Sequence, residues 1–293
     1  MLFRAVARAG SLSAAARELA TTQPAVSQQL RQLEREAGLP LMLRGPRGVT
    51  LTEAGRRLLG QADAVASHLH LASEELAGLA DLSTGRVALA AFPSAAATLV
   101  PHALDELAGD HPGVSVQMVE AEPPQATAAV RGGEADLALV FYYSGRPEDA
   151  PQETEALSWV PLGDEAVQLV VPRRDRPRVA DLATLTWIAG CPDCRGHLIE
   201  SCRAAGFEPA IRFESDDYVV VQNLVARGLG VTALPALALQ AFTHRDVAVD
   251  DSGIFGRRVV GVLHRPGAEQ VPAVRAVLER LQRTAGAAFG RTA

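Results

Sequence analysis

Apolar positions in the first forty residues recur at helical spacing in three short groups. Leu2, Phe3 and Val6 form one stripe, ended by Gly10. Ser11 or Ser13 suits the cap of a second helix, whose small apolar face is Ala15, Ala16 and Leu19. A tight turn at Thr21 and Thr22 leads to a third predicted helix, with Thr22 or Gln23 near its cap and Pro24 in the first turn, where proline is tolerated. Val26, Leu30 and Leu33 repeat along this helix and Gly38 ends it. LMLRGPRGVTLT, residues 41–52, then reads as two short strands around a Gly45-Pro46-Arg47-Gly48 hairpin.

The pattern changes at Thr52. Leu58, Ala62, Val65, Leu69, Ala72, Leu76 and Leu79 follow one another at 4-3-4-3-4-3 spacing on a single long predicted helix. Helices packed on their own domain show a wider apolar stripe, so this narrow seam suits contact between two chains. After a polar joint at 81–85, apolar runs alternate with helical patterns. Val87–Phe92, Val114–Val119 and Asp136–Val140 read as strands, with helices over Ala95–Leu107 and around Ala126–Arg131, a βαβαβ order expected of a parallel sheet. A second series covers Val167–Val171, Thr186–Ala189, Leu198–Ala205, Ile211–Glu214, Tyr218–Arg227, Val231–Leu234 and Val259–Leu263, and a helix over Ala273–Phe289 closes the chain.

Charge divides where the pattern does. The 293 residues carry a net charge of −6, an unpromising balance for a nucleic-acid partner. Residues 1–58 alone hold nine arginines against four glutamates, a net of +5, and the remainder is at −11. Every basic residue is an arginine. On the third helix, Pro24, Ser27, Gln28 and Arg31 fall opposite the apolar stripe. Gln pairs bidentately with adenine and Arg with guanine, while Thr22 and Gln23 at the helix N-terminus suit a phosphate. Arg44 and Arg47 in the hairpin suit backbone phosphates or a narrow minor groove. An ordinary solvated helix face would show the same polar strip, so the strip alone leaves both readings open.

In this order, GSLSAAARELATTQPAVSQQLRQLEREAGLPLMLR followed by VTLTEAG resembles the DNA-binding domain of LysR-type transcriptional regulators, and HPGVSVQ, GGEADLAL and LVARGLGVTALP resemble their effector domain. One departure stands out: Met1 falls almost where family members have completed about two helical turns. The resemblance implies an α/β chain with an N-terminal winged helix-turn-helix (1–57), a long dimerising linker helix (58–80), a hinge (81–85) and a two-lobed, periplasmic-binding-protein-like effector domain. Lobe I would hold 86–162 and 265–293 and lobe II 163–264, with crossings near Trp159–Gly163 and Leu263–Gly267. It implies a homodimer or homotetramer on an interrupted palindrome of double-stranded DNA, RNA polymerase as a partner, and a small-molecule effector in the interlobe cleft. Neither enzymatic activity nor a cofactor is expected.

Ligands of such sheets lie past the carboxyl ends of strands. Ser94, Phe141, Tyr142, Cys191, Ser215 and Asp216 are the candidate effector-binding residues on that ground, with Tyr143 beside them. Ser94 also suits a plain helix cap, and Asp216 and Asp217 suit capping of the next helix. Cys191, Cys194 and Cys202 are redox candidates, since a helix N-terminus favours thiolate, and the resemblance implies peroxide sensing through paired cysteines in some branches. Zinc on Cys191, Cys194, His197 and Cys202 is not expected, because Cys194 and Cys202 on one helix lie ~12 Å apart. The strand–CPDC–helix order also resembles a thioredoxin-like oxidoreductase, but no proline-led strand faces the motif. Three cysteines, no export signal and no run of ~20 apolar residues point to a cytoplasmic protein away from membranes.

Overall fold

The computed structural model describes all residues except 1, 46–47, 79–84, 145–156, 175, 178, 251 and 291–293, and leaves the side chains of 44, 74–78, 179 and 180 undescribed. The chain divides into two compact units, one built on residues 1–74 and one on most of the remainder.

In the first unit three helices, α1 (Leu2–Ala9), α2 (Leu12–Glu18) and α3 (Gln23–Ala37), precede the strands β1 (Met42–Gly45) and β2 (Gly48–Leu51) and the helix α4 (Glu53–Gly78). Phe3, Val6, Leu12, Ala15, Ala16, Val26 and Leu30 share one core with Leu41 and Met42, and Leu33 packs against it. Of the two candidate caps for α2, Ser11 is used: its Oγ accepts from the Ala14 N–H at 3.1 Å. Gly38 ends α3 in the left-handed region at φ +66°. The wing is tied in twice. Glu34 Oε1 accepts from the N–H groups of Leu41 and Met42 at 2.9 and 3.1 Å. Val49 N–H donates to Gly10 O at 2.8 Å.

The second unit is the α/β body. Its strands are β3 (Gly85–Ala91), β4 (Val114–Glu120), β5 (Leu137–Tyr143), β6 (Ser158–Pro172), β7 (Thr186–Ala189), β8 (Ala210–Glu214), β9 (Thr232–Pro235), β10 (Val247–Asp250) and β11 (Arg257–His264). The helices are α5 (Pro93–Ala97), α6 (Leu99–Asp110), α7 (Pro123–Arg131), α8 (Pro192–Ala204), α9 (Tyr218–Ala226), α10 (Ala236–Ala241) and α11 (Pro272–Ala288). β3 runs parallel to β4 and β5, as the βαβαβ order requires. The sheet continues through β11, β6 and β10, with β9 also on β6. β7 and β8 form a separate parallel pair.

Two of the expected crossings shift. β6 is one continuous strand: residues 158–166 pair with β11, and from Val167 onward it pairs with β9 and β10. The change of partner thus falls after Ala166 instead of at Trp159–Gly163. β11 was expected in the second lobe, yet it pairs with β5 along its whole length, so the return crossing precedes Arg257 instead of following Leu263. An apolar strand buried on both faces carries no mark of which sheet it joins, and the crossing positions were therefore not encoded locally. Gly261 permits the packing at this seam: a Cβ there would lie 2.3 Å from the Trp159 ring.

Candidate functional site

On α3, Thr22, Gln23, Pro24, Gln28 and Arg31 are all exposed, which leaves one polar strip free at the N-terminal half of the helix. Arg31 Nε rests on Ser27 O at 3.2 Å. Ser27 departs from expectation, being only 8% exposed. It stands next to Val26 and three residues before Leu30, at the edge of the apolar stripe, and its small side chain turns inward with them. The side chain of Arg44 and all of Arg47 lie outside the described residues. Two head arginines are spent internally: Arg4 Nε and Arg8 Nη2 reach Asp63 Oδ1 at 2.6 and 3.2 Å, fastening α1 to α4. Sequence reasoning counted both toward the basic surface.

Along α4 the heptad positions behave unequally. Leu58 packs on the head core. Ala62 is half-buried, Ala72 is exposed, and Val65 and Leu69 are 59% and 56% exposed. The side chain of Leu76 and all of Leu79 lie outside the described residues.

In the body, residues from both lobes enclose a cavity of about 80 Å³. Ser94 lines it, buried, from the first turn of α5, and Phe92, not Ser94, occupies the cap position. Phe141 and Tyr143 line it from β5, whereas Tyr142 does not; it tilts against Trp159 with ring centroids 6.2 Å apart. Strand alternation explains the difference, since neighbours on a strand face opposite sides. Cys191, Ser215 and Asp216 complete the expected set, all on the lining. The capping role falls to Asp217, whose Oδ1 accepts from the N–H groups of Val219 and Val220 at 2.8 and 3.3 Å.

Sequence reasoning missed the charged floor of this cavity. Arg258 Nε donates to Glu165 Oε1 at 2.7 Å, and its Nη2 donates to Ser94 Oγ at 2.8 Å. Its guanidinium carbon lies 4.8 and 4.3 Å from the ring centroids of Phe92 and Phe141. Glu122 was missed as well. Its Oε2 is buried with no hydrogen-bond partner. Burial, followed by the charge of Asp216, raises its carboxyl above the ordinary range.

Cys191 caps α8, its sulfur accepting from Cys194 N–H at 3.4 Å, and the two sulfurs are 2.7 Å apart. The hydrogen bond from the Cys191 thiol holds Cys194 below the ordinary thiol value against burial, helped by the Tyr143 hydroxyl and Arg258. The same bond, with burial, pushes Cys191 up. Tyr143 stacks on His197 with centroids 3.6 Å apart, and His197 Nε2 lies 2.8 Å from Phe255 O. Cys202 is fully buried and pushed up to about 12 by that burial. It lies eight residues beyond Cys194 on α8, which excludes a direct sulfur contact while the helix holds. One ligand atom from each of Glu122, Cys191 and Asp216 lies within 4.8 Å of the others.

Comparison with known proteins agrees with this architecture. Residues 1–56 match the model of the bacterial regulatory helix-turn-helix protein, lysR family, and residues 80–286 match the LysR substrate binding domain. The DNA-binding transcriptional dual regulator OxyR of Escherichia coli K12 is 30% identical over 84% of this chain and 81% of its own. The probable HTH-type transcriptional regulator LrrA of Synechococcus elongatus is also 30% identical, over 97% of this chain and 95% of its own. Among solved structures, a full-length OxyR variant from Pseudomonas aeruginosa aligns at a TM-score of 0.63 and 20% identity, covering 97% of this chain and 92% of that one. CbnR in complex with its target DNA aligns at 0.54 and 22%, covering 97% of each. With a lysR-family reading head and an effector-binding domain on one chain, this protein belongs to the LysR-type transcriptional regulators.

Proposed function

We propose that this regulator reads an interrupted palindrome as a homodimer, placing the exposed strip Thr22, Gln23, Pro24, Gln28 and Arg31 of α3 in the major groove, with Arg44 and Arg47 of the wing on adjacent backbone. The antiparallel pairing of two α4 helices along Val65 and Leu69 would form the dimer, and its support is the exposure of those two large apolar side chains on a narrow seam. Met118 and Val119 on the edge strand β4, exposed in the same way, suit a second self-contact and hence a tetramer. RNA polymerase is the expected partner at the promoter, and the cytoplasm is the expected location. No helix among the described residues is long and apolar enough to cross a membrane.

The effector site is the interlobe cavity. One observation carries this reading: Ser94 and Phe141 on one side and Cys191, Ser215 and Asp216 on the other surround a single space floored by Arg258. A ligand that touches both walls binds the closed arrangement better than the open one, and that difference supplies the energy of the switch. At about 80 Å³ the space suits a ligand of few non-hydrogen atoms. Selection of duplexes from a random pool by the purified protein tests the DNA reading. Recovery of sequences with two-fold symmetry supports it, and recovery of sequences without symmetry overturns the dimeric arrangement. No enzymatic role is proposed; the curated relatives are transcriptional regulators.

A second reading is favoured by the contact between the Cys191 and Cys194 sulfurs. A peroxide would join them as a disulfide, the two thiols losing two electrons and two protons and the peroxide leaving as two waters. Relatives named as hydrogen peroxide-inducible genes activators make this oxidant the natural probe. Loss of two free thiols in Cys202→Ser, but not in Cys194→Ser, on peroxide treatment is the expected result.

A further inference from the structure

Tyr143 and Cys194 meet across the interlobe cavity from opposite lobes. Tyr143 ends β5, in the sheet of the first lobe, and is buried. Cys194 stands in the first turn of α8, in the second lobe, its sulfur 2.7 Å from that of Cys191. We propose that Tyr143 is the positioning residue of this thiol pair: its hydroxyl, delivered from the first lobe, holds Cys194 ready to attack, and Cys191 resolves. The pair is then reactive only while the lobes are closed on each other. This role deepens the thiol reading given above and rests on it.

The ring of Tyr143 has little freedom. It lies flat on the His197 imidazole, with 3.6 Å between centroids and 8° between planes, and edge-on to Phe141 at 5.8 Å. His197 sits on α8 one turn beyond Cys194, and its Nε2 is held 2.8 Å from Phe255 O. The stack thus ties the end of β5 to the first turns of α8 and carries the Tyr143 hydroxyl to Cys194. Three groups favour the Cys194 thiolate: the Cys191 thiol, which donates to it, then the Tyr143 hydroxyl, then the charge of Arg258. They act against burial and the Glu122 carboxyl. Arg258 cannot swing away, because Glu165 at 2.7 Å and Ser94 at 2.8 Å fix its guanidinium. Tyr143 and Arg258 both belong to the first lobe, so lobes that part take two of the three supports from Cys194. Cys191 is the poorer nucleophile, since its contact with Cys194 and its burial keep its proton on.

With a peroxide as oxidant the sequence is balanced. The Cys194 thiolate attacks one peroxide oxygen; the S–O bond forms, the O–O bond breaks, and the leaving hydroxide takes a proton from solvent to become water. The Cys191 sulfur then attacks the Cys194 sulfenic acid; the S–S bond forms, the S–O bond breaks, and the hydroxyl leaves with the Cys191 proton as a second water. The disulfide bears no charge, so Tyr143 loses its anionic acceptor. A buried hydroxyl without a good acceptor is costly, and the closed arrangement is weakened. Closure promotes the reaction and the reaction opposes closure, which gives the oxidised and reduced chains different preferred lobe separations. Cys202, buried further along α8, takes no part.

The test is the pH profile of iodoacetamide alkylation in the full-length Cys191→Ser/Cys202→Ser chain, whose one thiol is Cys194. Serine retains an acceptor at the cap of α8 and a donor toward Cys194, so this chain is expected to fold, and its thermal midpoint checks this. Adding Tyr143→Phe keeps the ring on His197 and removes only the hydroxyl. The inflection should then rise by about one pH unit, with alkylation ~10-fold slower at neutral pH. An inflection that stays in place, in a chain of unchanged thermal midpoint, overturns the positioning role and leaves Tyr143 as packing. The order of attack is read with dimedone, which traps sulfenic acid. Peroxide should give an adduct on Cys194 in Cys191→Ser and none on Cys191 in Cys194→Ser; the reverse pattern overturns the assignment. Amide exchange around Tyr143 and His197 should quicken on oxidation of the parent, and equal exchange in both states overturns the coupling to closure. A parent that keeps both thiols under peroxide overturns the peroxide reading itself, whereas the alkylation profile decides the role of Tyr143 without any oxidant.

Discussion

Arg258 and Glu165 form an ion pair, Nε to Oε1 at 2.7 Å, with side chains only 3% and 2% exposed. Glu165 is shared: its second oxygen accepts from Leu237 N–H at 2.6 Å at the start of α10. The pair therefore links β11 and β6 to α10 beneath the cavity. Breaking it from either side strands a buried charge. Glu165→Gln or Arg258→Ala should destabilise the body by about 3–5 kcal/mol, read from urea midpoints. The double replacement Arg258→Met/Glu165→Leu should recover much of that loss. A single variant as stable as the parent would contradict the burial of the pair.

Gly48 meets two demands at once. Its φ is +118°, and a Cβ there would lie 2.4 Å from Gly10 O. Gly10 O is the acceptor that holds Val49 N–H, so the wing and the α1–α2 turn must approach closely. Gly48→Ala should cost about 1–3 kcal/mol in the head, seen as a lowered first thermal transition. Gly45→Ala, where nothing lies within 4 Å, is the control and should change little.

Local features were legible wherever neighbouring residues carried them. The Ser11 cap, the Gly38 stop and the βαβαβ order all follow from short-range pattern, and all are present. What was missed depended on partners far along the chain. Arg258 meets Glu165 across 93 residues, in a strand whose other side chains are mostly apolar, and nothing near either residue announces the pair. Glu122 faces Cys191 and Asp216 only because three loops converge. Tyr142 and Ser27 were misplaced for a smaller reason: each was grouped with neighbours one position away, where a single step along a strand or helix turns the side chain to another face.

Glu122 also makes a prediction about acidity. Burial, then Asp216, raises its carboxyl above 4.5. A carboxyl raised in the folded state binds its proton more tightly there than in the unfolded chain. Its stabilising contribution is therefore full below 4.5 and is lost as pH rises through the folded value. Glu122→Gln should be more stable than the parent at neutral pH, and the gap should close as pH falls toward 4.5. Thermal midpoints across that window check the sign, and a gap that widens in acid contradicts it.

The reading helix offers a paired test. Arg31 is exposed and rests on its own helix backbone, free to swing to a base edge, whereas Ser27 is turned inward. Arg31→Ala should cost about 1–3 kcal/mol on the preferred sequence and little on unrelated DNA, so sequence preference falls. Ser27→Ala should change DNA binding little. Gel shifts on both kinds of duplex at one salt concentration measure this, and a uniform loss on every sequence would reassign Arg31 to the phosphate backbone.

The seam on α4 carries the last prediction. Val65 and Leu69 stand one helical turn apart, both more than half exposed, on a helix whose N-terminal part is anchored by Leu58 in the head core and by Asp63 to Arg4. Neither side chain helps to hold its own unit together, so replacing them should spare the fold. Burying a charge in a two-helix seam is costly, because no partner on the apolar strip pairs with it. Val65→Asp/Leu69→Asp should therefore shift sedimentation from dimer to monomer while the thermal transition of the head stays in place. Binding to a two-half-site duplex should fall steeply, and binding to a single half-site should change little. A variant that sediments as a dimer would show that some other surface joins the chains, and the exposed Met118 and Val119 on β4 are then the first place to look.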